Sequence, residues 1–300
     1  MVTPSAKKRA VKHLVEVCHF SVQMACRAMR LNRSSYYYVR KESEFEKNLI
    51  KELHFLSKQY PRWGYVQMTR QLKRRGWRVN KKRVQRLWRL EGLKVPVKQV
   101  KKRRIGNSTR PRQRALYANH VWSWDFMFDR TDDGRALKIL NIVDEYSRFN
   151  VYMEVGRNFT GKDVVAALGR AMIEYGIPGC IRSDNGSEFI SQYIKDWLIE
   201  NGIGIQYIDP ASPWQNPYVE SFNGTMRDEC LNRELFETLL EAKVVLSDWR
   251  DIYNLQRTHG NINAQTPAEV YGKFVPLALS PIGEKSAGNC NFYGNAQIRH

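Results

Sequence analysis

Apolar residues recur at helical intervals along the first third of the chain and at strand intervals beyond residue 116. Ala10, Val11, Leu14, Val15 and Cys18 predict a first helix over Lys7–Cys18. Ser21 is a candidate cap for a second helix reaching Met29, and Asn32-Arg33-Ser34-Ser35 reads as a turn and restart before Tyr36-Tyr37-Tyr38. These pieces suit a small helix-turn-helix, with the tyrosines equally fit for packing or for contacting phosphates.

A better-defined helical module covers residues 43–93. Leu49, Leu53 and Leu56 line one helix face, Trp63-Gly64 marks a turn after Pro61, and Tyr65, Met68 and Leu72 line a second helix ending near Gly76. Asn80 is the cap of a third, with Val84, Leu87, Trp88 and Leu90 as its apolar positions and Gly92 as its stop. Its other faces carry Lys81, Lys82, Arg83, Arg86 and Arg89. A turn followed by a strongly basic helix is the geometry by which a helix enters a DNA groove; a solvated face on a small bundle is the competing reading. Lys98 to Arg114 holds eight basic and no acidic residues, and reads as a flexible, phosphate-seeking linker.

Three strands are predicted next, over Val121–Phe128, Leu137–Val143 and Phe149–Val155. A helix over Lys162–Tyr175, a strand at Cys180–Arg182, a helix over Phe189–Asn201 and a strand over Ile203–Ile208 follow. Helices over Tyr218–Leu231 and Leu239–Tyr253 complete the order. The implied class is α/β: a mixed five-stranded sheet flanked by helices in a ribonuclease-H-like arrangement, preceded by an all-helical region. In that layout the first and fourth strands are adjacent and parallel. Trp122, Trp124, Phe126 and Phe128 alternate as one buried sheet face.

Composition narrows the function classes. No run of 18 apolar residues exists, and the basic N-terminus lacks the apolar stretch of a secretion signal, so cytoplasmic residence is expected. Five cysteines without a CxxC argue against a disulfide scaffold or zinc finger, and Cys18 and Cys26 read as apolar helix positions. The net charge of +19 is unevenly spread. Residues 1–115 carry 32 Lys and Arg against 6 Asp and Glu, a balance of +26; residues 116–300 carry 17 against 24, a balance of −7. One part is suited to neutralising phosphates and the other concentrates carboxylates.

Asp125 falls in the first strand, Asp184 just after the fourth and Glu220 in the first turns of a later helix. Such a layout converges three carboxylates that would repel one another unless hard divalent cations, Mg²⁺ by preference, neutralise them. Two ions about 3.5–4 Å apart suit phosphodiester cleavage, one beside each reacting oxygen. Arg227, two helical turns beyond Glu220, leaves on nearly the same face and is a candidate phosphate grip. Asp129, on the same face as Asp125, suits a turn as well as it suits catalysis; Asp144, beside Glu145 and Arg148, suits a structural pair or a role supporting the ligands rather than metal binding, and Glu188 reads as a helix-start residue. Asn185, Asn223 and His259 are candidates to support the cleft.

Trp122-Ser-Trp-Asp125-Phe, Asn141-Ile-Val-Asp-Glu-Tyr-Ser-Arg148, Ser183-Asp-Asn-Gly-Ser-Glu-Phe189 and Tyr218-Val-Glu-Ser-Phe-Asn-Gly224 together resemble the second-reading-frame transposases of bacterial insertion sequences, which share an integrase core with retroviral integrases. The 35 residues between Asp184 and Glu220 match the spacing of that superfamily's aspartate-aspartate-glutamate motif. Trp249-Arg250, Tyr253-Asn254, Arg257, His259, Thr266-Pro267 and Tyr271 resemble its C-terminal stretch, and Trp63-Gly64-Tyr65 its helix-turn-helix. The resemblance covers roughly residues 45–272, and with the residue pattern it divides the chain into a small helical segment at 1–42, a helix-turn-helix DNA-binding module at 43–95, a basic linker at 96–115, a catalytic core at 116–272 and a tail at 273–300. It further implies Asp125, Asp184 and Glu220 as ligands of two Mg²⁺ ions (Mn²⁺ substituting), and Arg227 on terminal DNA. Double-stranded DNA as substrate, self-association in synapsis and partnership with an upstream reading frame are also implied. A DNA-binding regulator or a degenerate transposase without strand transfer are the rival classes. Ala211 to Pro217 and Thr258, where many relatives have a glycine-rich segment and a proline, depart from the pattern.

Overall fold

The computed structural model describes residues 3–38, 43–95, 114–183, 191–207 and 216–272. The linker assigned to 96–115 lies mostly outside the described residues; Asp184, Asn185, Glu188 and the tail at 273–300 lie wholly outside them. The chain divides into two compact units, residues 1–55 and 56–300.

In the first unit α1 (Pro4–Glu16) begins earlier than the apolar pattern predicts. The Thr3 hydroxyl accepts from the Ala6 N–H, and Pro4 takes the first helical position, where its missing N–H costs nothing. Ser21 caps α2 (Val22–Ala28) as expected, and α3 (Arg33–Tyr37) restarts after Asn32. Val11, Ala25 and Cys26 form the small core, joined by Leu14, Val15, Met29 and Tyr36. Tyr37 and Tyr38 are exposed. Cys18 is exposed too, contrary to its reading as an apolar helix position, because α1 stops at Glu16. The long helix α4 (Glu44–Gln59) crosses the division, with Leu49, Leu53 and Leu56 buried along one face.

In the second unit α5 (Tyr65–Arg74) packs on α6 (Lys81–Leu90), where Asn80 Oδ1 accepts from the Arg83 N–H at 2.8 Å. Val84, Leu87 and Trp88 are buried, whereas Leu90 is exposed. Leu90 lies roughly a third of a turn around the helix from that stripe, and Gly92, at φ +69°, ends the element two residues later.

The sheet contains β1 (Val121–Arg130), β2 (Ala136–Asp144), β3 (Asn150–Gly156), β4 (Cys180–Ser183) and β5 (Gly204–Tyr207), in the order β3-β2-β1-β4-β5. β1 pairs antiparallel with β2 and parallel with β4, as the sequence implies. One face, carrying Trp122, Trp124 and Phe126, packs under α7 (Gly161–Tyr175) and α8 (Gln192–Glu200). Phe128 does not join it: cover on this face reaches Phe126, which meets Phe159, while Phe128 is exposed and lies 5.6 Å from the Lys138 ammonium. α8 starts three residues later than the sequence suggests, with extended Ser191 at its cap position.

The opposite face, with Met127, Leu137, Ile139, Val143 and Val155, is covered by α9 (Pro217–Met226) and α10 (Leu239–Asp251). Each of these helices runs on into a π-turn, Arg227–Leu231 after α9 and Ile252–Gln256 after α10. Thr266 and Glu269 close a capping box on α11 (Pro267–Tyr271), and the Tyr271 hydroxyl donates to Asn119 Oδ1 at 2.5 Å. Among the described residues no helix is long and apolar enough to cross a membrane.

Both π-turns meet the α4–α5 corner. Arg62 pairs with Asp228 at 2.5 Å, and the Trp63 indole donates to Glu229 at 3.2 Å. Tyr60 hydrogen-bonds Gln256, and Gln71 donates to the Gln256 carbonyl. Gln67 donates to the Thr258 carbonyl at 2.8 Å and accepts from the Thr258 hydroxyl at 2.6 Å. A proline at 258 would keep the carbonyl and lose the hydroxyl, so the departure at Thr258 adds a hydrogen bond between α5 and the segment after α10.

Candidate catalytic site

β1 turns Asp125, Met127 and Asp129 toward α9, by simple strand alternation. Asp125 is half-buried and stands opposite Asn141 of β2. Two contacts hold α9 on this end of β1. Asn216, just before the helix, directs its amide at the Trp124 carbonyl at 3.4 Å, and Asn223 Nδ2 donates to Asp125 Oδ2 at 2.8 Å. Glu220 lies between these anchors in the first turn of α9, exposed, with Pro217 at the first helical position as expected. An acidic residue there also meets the positive end of the helix. Thus the fold brings Asp125 and the helix bearing Glu220 together.

β4 approaches from the other side of β1. Ser123 stands opposite Arg182 on these parallel strands, and each lies two residues short of a candidate carboxylate, Asp125 or Asp184. Asp184 and Asn185 are outside the described residues. Among the described residues no group of three His, Cys, Asp or Glu side chains is placed to hold a metal ion.

Arg227 donates to Asp129 Oδ2 at 3.1 Å and to the Phe128 carbonyl at 2.6 Å. Its ion-pair partner is therefore on β1 and not the neighbouring Asp228 or Glu229, which bind Arg62 and Arg257. Asp129 thus has a charged partner beyond a turn role. Asp144 is structural: fully buried, it accepts from the Ser147 and Asn119 N–H groups, both at 2.8 Å, and from the Ser147 hydroxyl at 2.5 Å. Burial still holds its carboxyl above the usual range. Arg182 is not free for DNA, since its Nη1 is 2.6 Å from both Glu145 oxygens in a buried pair.

His259 lies edge-on to Tyr253 at 4.9 Å, with Nδ1 3.5 Å from Arg257. Burial, followed by the charges of Arg257, Arg148 and Arg70, pushes its imidazole down to about 3. The Arg148 guanidinium lies 3.8 Å over the Tyr218 ring, two residues before Glu220. Away from the carboxylates, Lys81, Lys82, Arg83 and Arg89 are exposed on α6 and Arg86 is half-buried.

Asn141 and Asn216 escaped sequence reasoning. Asn141 did leave a signal, as the polar member of the otherwise apolar row Leu137, Ile139 and Val143.

An HTH-like domain model matches residues 41–103, and two Integrase core domain models match residues 116–213 and 201–267. A protein of insertion element IS407 from Burkholderia multivorans is 37% identical over 268 residues, covering 89% of this chain and 96% of that protein. A protein of insertion element IS476 from Xanthomonas euvesicatoria is 34% identical over 271 residues, covering 89% of this chain and 77% of that protein. The solved HTLV-2 integrase catalytic core domain in complex with magnesium is similar at 19% identity and a TM-score of 0.43, covering 53% of this chain and 99% of that one. The chain belongs to the bacterial insertion-sequence transposases, which combine a helix-turn-helix-like region with an integrase catalytic core.

Proposed function

We propose that the protein cleaves the ends of its insertion sequence to free 3′ hydroxyls and joins them to target DNA, with Asp125, Asp184 and Glu220 as ligands of two divalent cations. The observation that carries this reading is the double anchoring of α9 on β1, which brings the helix bearing Glu220 onto the strand that carries Asp125. The donor chemistry fits: carboxylate oxygens are hard ligands suited to Mg²⁺, with Mn²⁺ as substitute. When bound, such ions would act as Lewis acids at the attacking and departing oxygens.

The chain's own residues supply position. Asn223 fixes the orientation of Asp125 by donating to Oδ2. Arg227, steered by Asp129, offers its half-exposed guanidinium to a DNA phosphate. Lys81, Lys82, Arg83, Arg86 and Arg89 on α6 contact terminal-repeat DNA, within a DNA-binding module over 43–95 that precedes a catalytic core over 116–272. Water attack at the element end releases the 3′ hydroxyl, and that hydroxyl then attacks a target phosphodiester. One P–O bond forms as another breaks, so the joining step needs no nucleotide. Two ends must meet, so the working complex contains more than one copy, with or without an upstream reading-frame product.

Incubating the full chain with a terminal-repeat duplex and Mg²⁺ tests the proposal. Nicked and joined products are expected, and Asp184→Asn should abolish both while retaining DNA binding. Strand transfer by that variant would sink the carboxylate mechanism. Nicking alone would identify a nuclease, and binding alone a regulator or degenerate transposase.

A further inference from the structure

We infer that Asn141 is a positioning residue for the catalytic site: through Asn223 it fixes which way a hydrogen-bond donor faces Asp125. This rests on the reading of Asp125 as a cation ligand. The three residues form a directed chain, with Asn141 Nδ2 donating to Asn223 Oδ1 at 2.8 Å and Asn223 Nδ2 donating to Asp125 Oδ2 at 2.8 Å.

The direction is dictated by chemistry. An ionised carboxylate only accepts, so Asn223 must turn its NH₂ to Asp125 and its carbonyl oxygen away. That oxygen needs a donor, which Asn141 provides. Reversing Asn141 would set two amide oxygens against each other. Its own Oδ1 is consequently left buried without a hydrogen-bond partner.

For stability alone this is a poor arrangement. Asn141 is fully buried, flanked along β2 by Leu137, Ile139 and Val143, and an apolar side chain would continue that row without an orphaned acceptor. Its position directly opposite Asp125 in the β1–β2 register explains the polar choice. From there it reaches Asn223, and Asn223 reaches the carboxylate. With the Asn223 amide locked, the Asp125 carboxylate is held in one orientation before any cation arrives, which lowers the ordering cost of binding.

The test is Mn²⁺ binding to the full chain without DNA, followed by titration calorimetry, beside thermal melting. Asn141→Leu should melt within a few degrees of the unaltered protein yet bind Mn²⁺ roughly tenfold more weakly. Asn141→Asp should weaken binding at least as much at neutral pH, because an acceptor at 141 draws the Asn223 NH₂ away from Asp125. Unchanged Mn²⁺ affinity in either folded variant would overturn the inference. Asp125→Asn is the discriminating control. If it binds Mn²⁺ as the unaltered protein does, the cation-site reading itself fails and the positioning role falls with it. If it loses binding while Asn141→Leu and Asn141→Asp do not, only the role of Asn141 is refuted.

Discussion

His259 lies edge-on to Tyr253, and the charges of Arg257, Arg148 and Arg70 act on its ring. The sequence offered His259 only as a candidate to support the cleft and placed none of these arginines around its ring. The imidazole stays neutral in the fold down to about 3, whereas in the unfolded chain it protonates near 6.5. The unfolded state therefore takes up the proton first as pH falls. The contribution is fully present above 6.5 and is lost progressively from there toward 3. Relative to His259→Gln, the protein should lose about 2 kcal/mol of stability between pH 7 and pH 5 in urea titrations. Parallel pH curves would show that the ring charges freely in the fold. Arg227 permits the opposite separation. Its half-exposed pair with Asp129 is worth about 0.2–1 kcal/mol, whereas a phosphate contact contributes about 1.5–3 kcal/mol. Arg227→Ala should thus slow strand transfer roughly tenfold or more while barely shifting the melting temperature. An unchanged rate on terminal DNA would remove Arg227 from the reaction.

At the scale of elements, all five strands were legible to within two residues, because the inner strands carry nearly continuous apolar runs bounded by turns. Asp125 and the helix of Glu220 were legible for the same reason, since strand order fixes which ends meet. Helix interiors were equally clear, but their ends were not: Thr3 and Ser191 decide where α1 and α8 begin, and neither belongs to an apolar stripe. The π-turns at Arg227–Leu231 and Ile252–Gln256 left no trace in periodicity, as one extra residue per turn shifts too few positions to register. Their meaning comes from packing. The first follows directly on the Glu220 helix and presents Asp228 and Glu229 to Arg62 and Trp63. Trp63→Phe keeps the aromatic stacking on Tyr60, at 4.0 Å, but removes the donor to a carboxylate. It should cost about 1.5–3 kcal/mol in denaturant unfolding. A loss no larger than that from an exposed aromatic substitution would mean that Glu229 is satisfied by Arg257 alone.

Across the whole molecule charge is unevenly spread, with a balance of +26 over residues 1–115 and −7 over residues 116–300. Asp125 and the helix bearing Glu220 meet where α9 lies on β1, and cations line a helix whose apolar stripe is already satisfied by Val84, Leu87 and Trp88. Because that stripe buries the inner face of α6, its exposed charges can be removed without taking apart the core. Each phosphate that a cation neutralises releases condensed counterions, so the logarithm of affinity falls with the logarithm of salt by about 0.9 per contact. Replacing Lys81, Lys82 and Arg89 together with glutamine should lower that slope by roughly 2–3 while leaving the unfolding midpoint nearly unchanged. The measurement is duplex binding by the full chain between low and physiological salt, with terminal-repeat and unrelated DNA side by side. A parallel fall on both duplexes assigns these residues to the phosphate backbone, and a fall confined to the terminal repeat assigns them to base edges. A slope identical to that of the unaltered protein on both would return α6 to a merely solvated face and move the DNA contact elsewhere on the basic stretch.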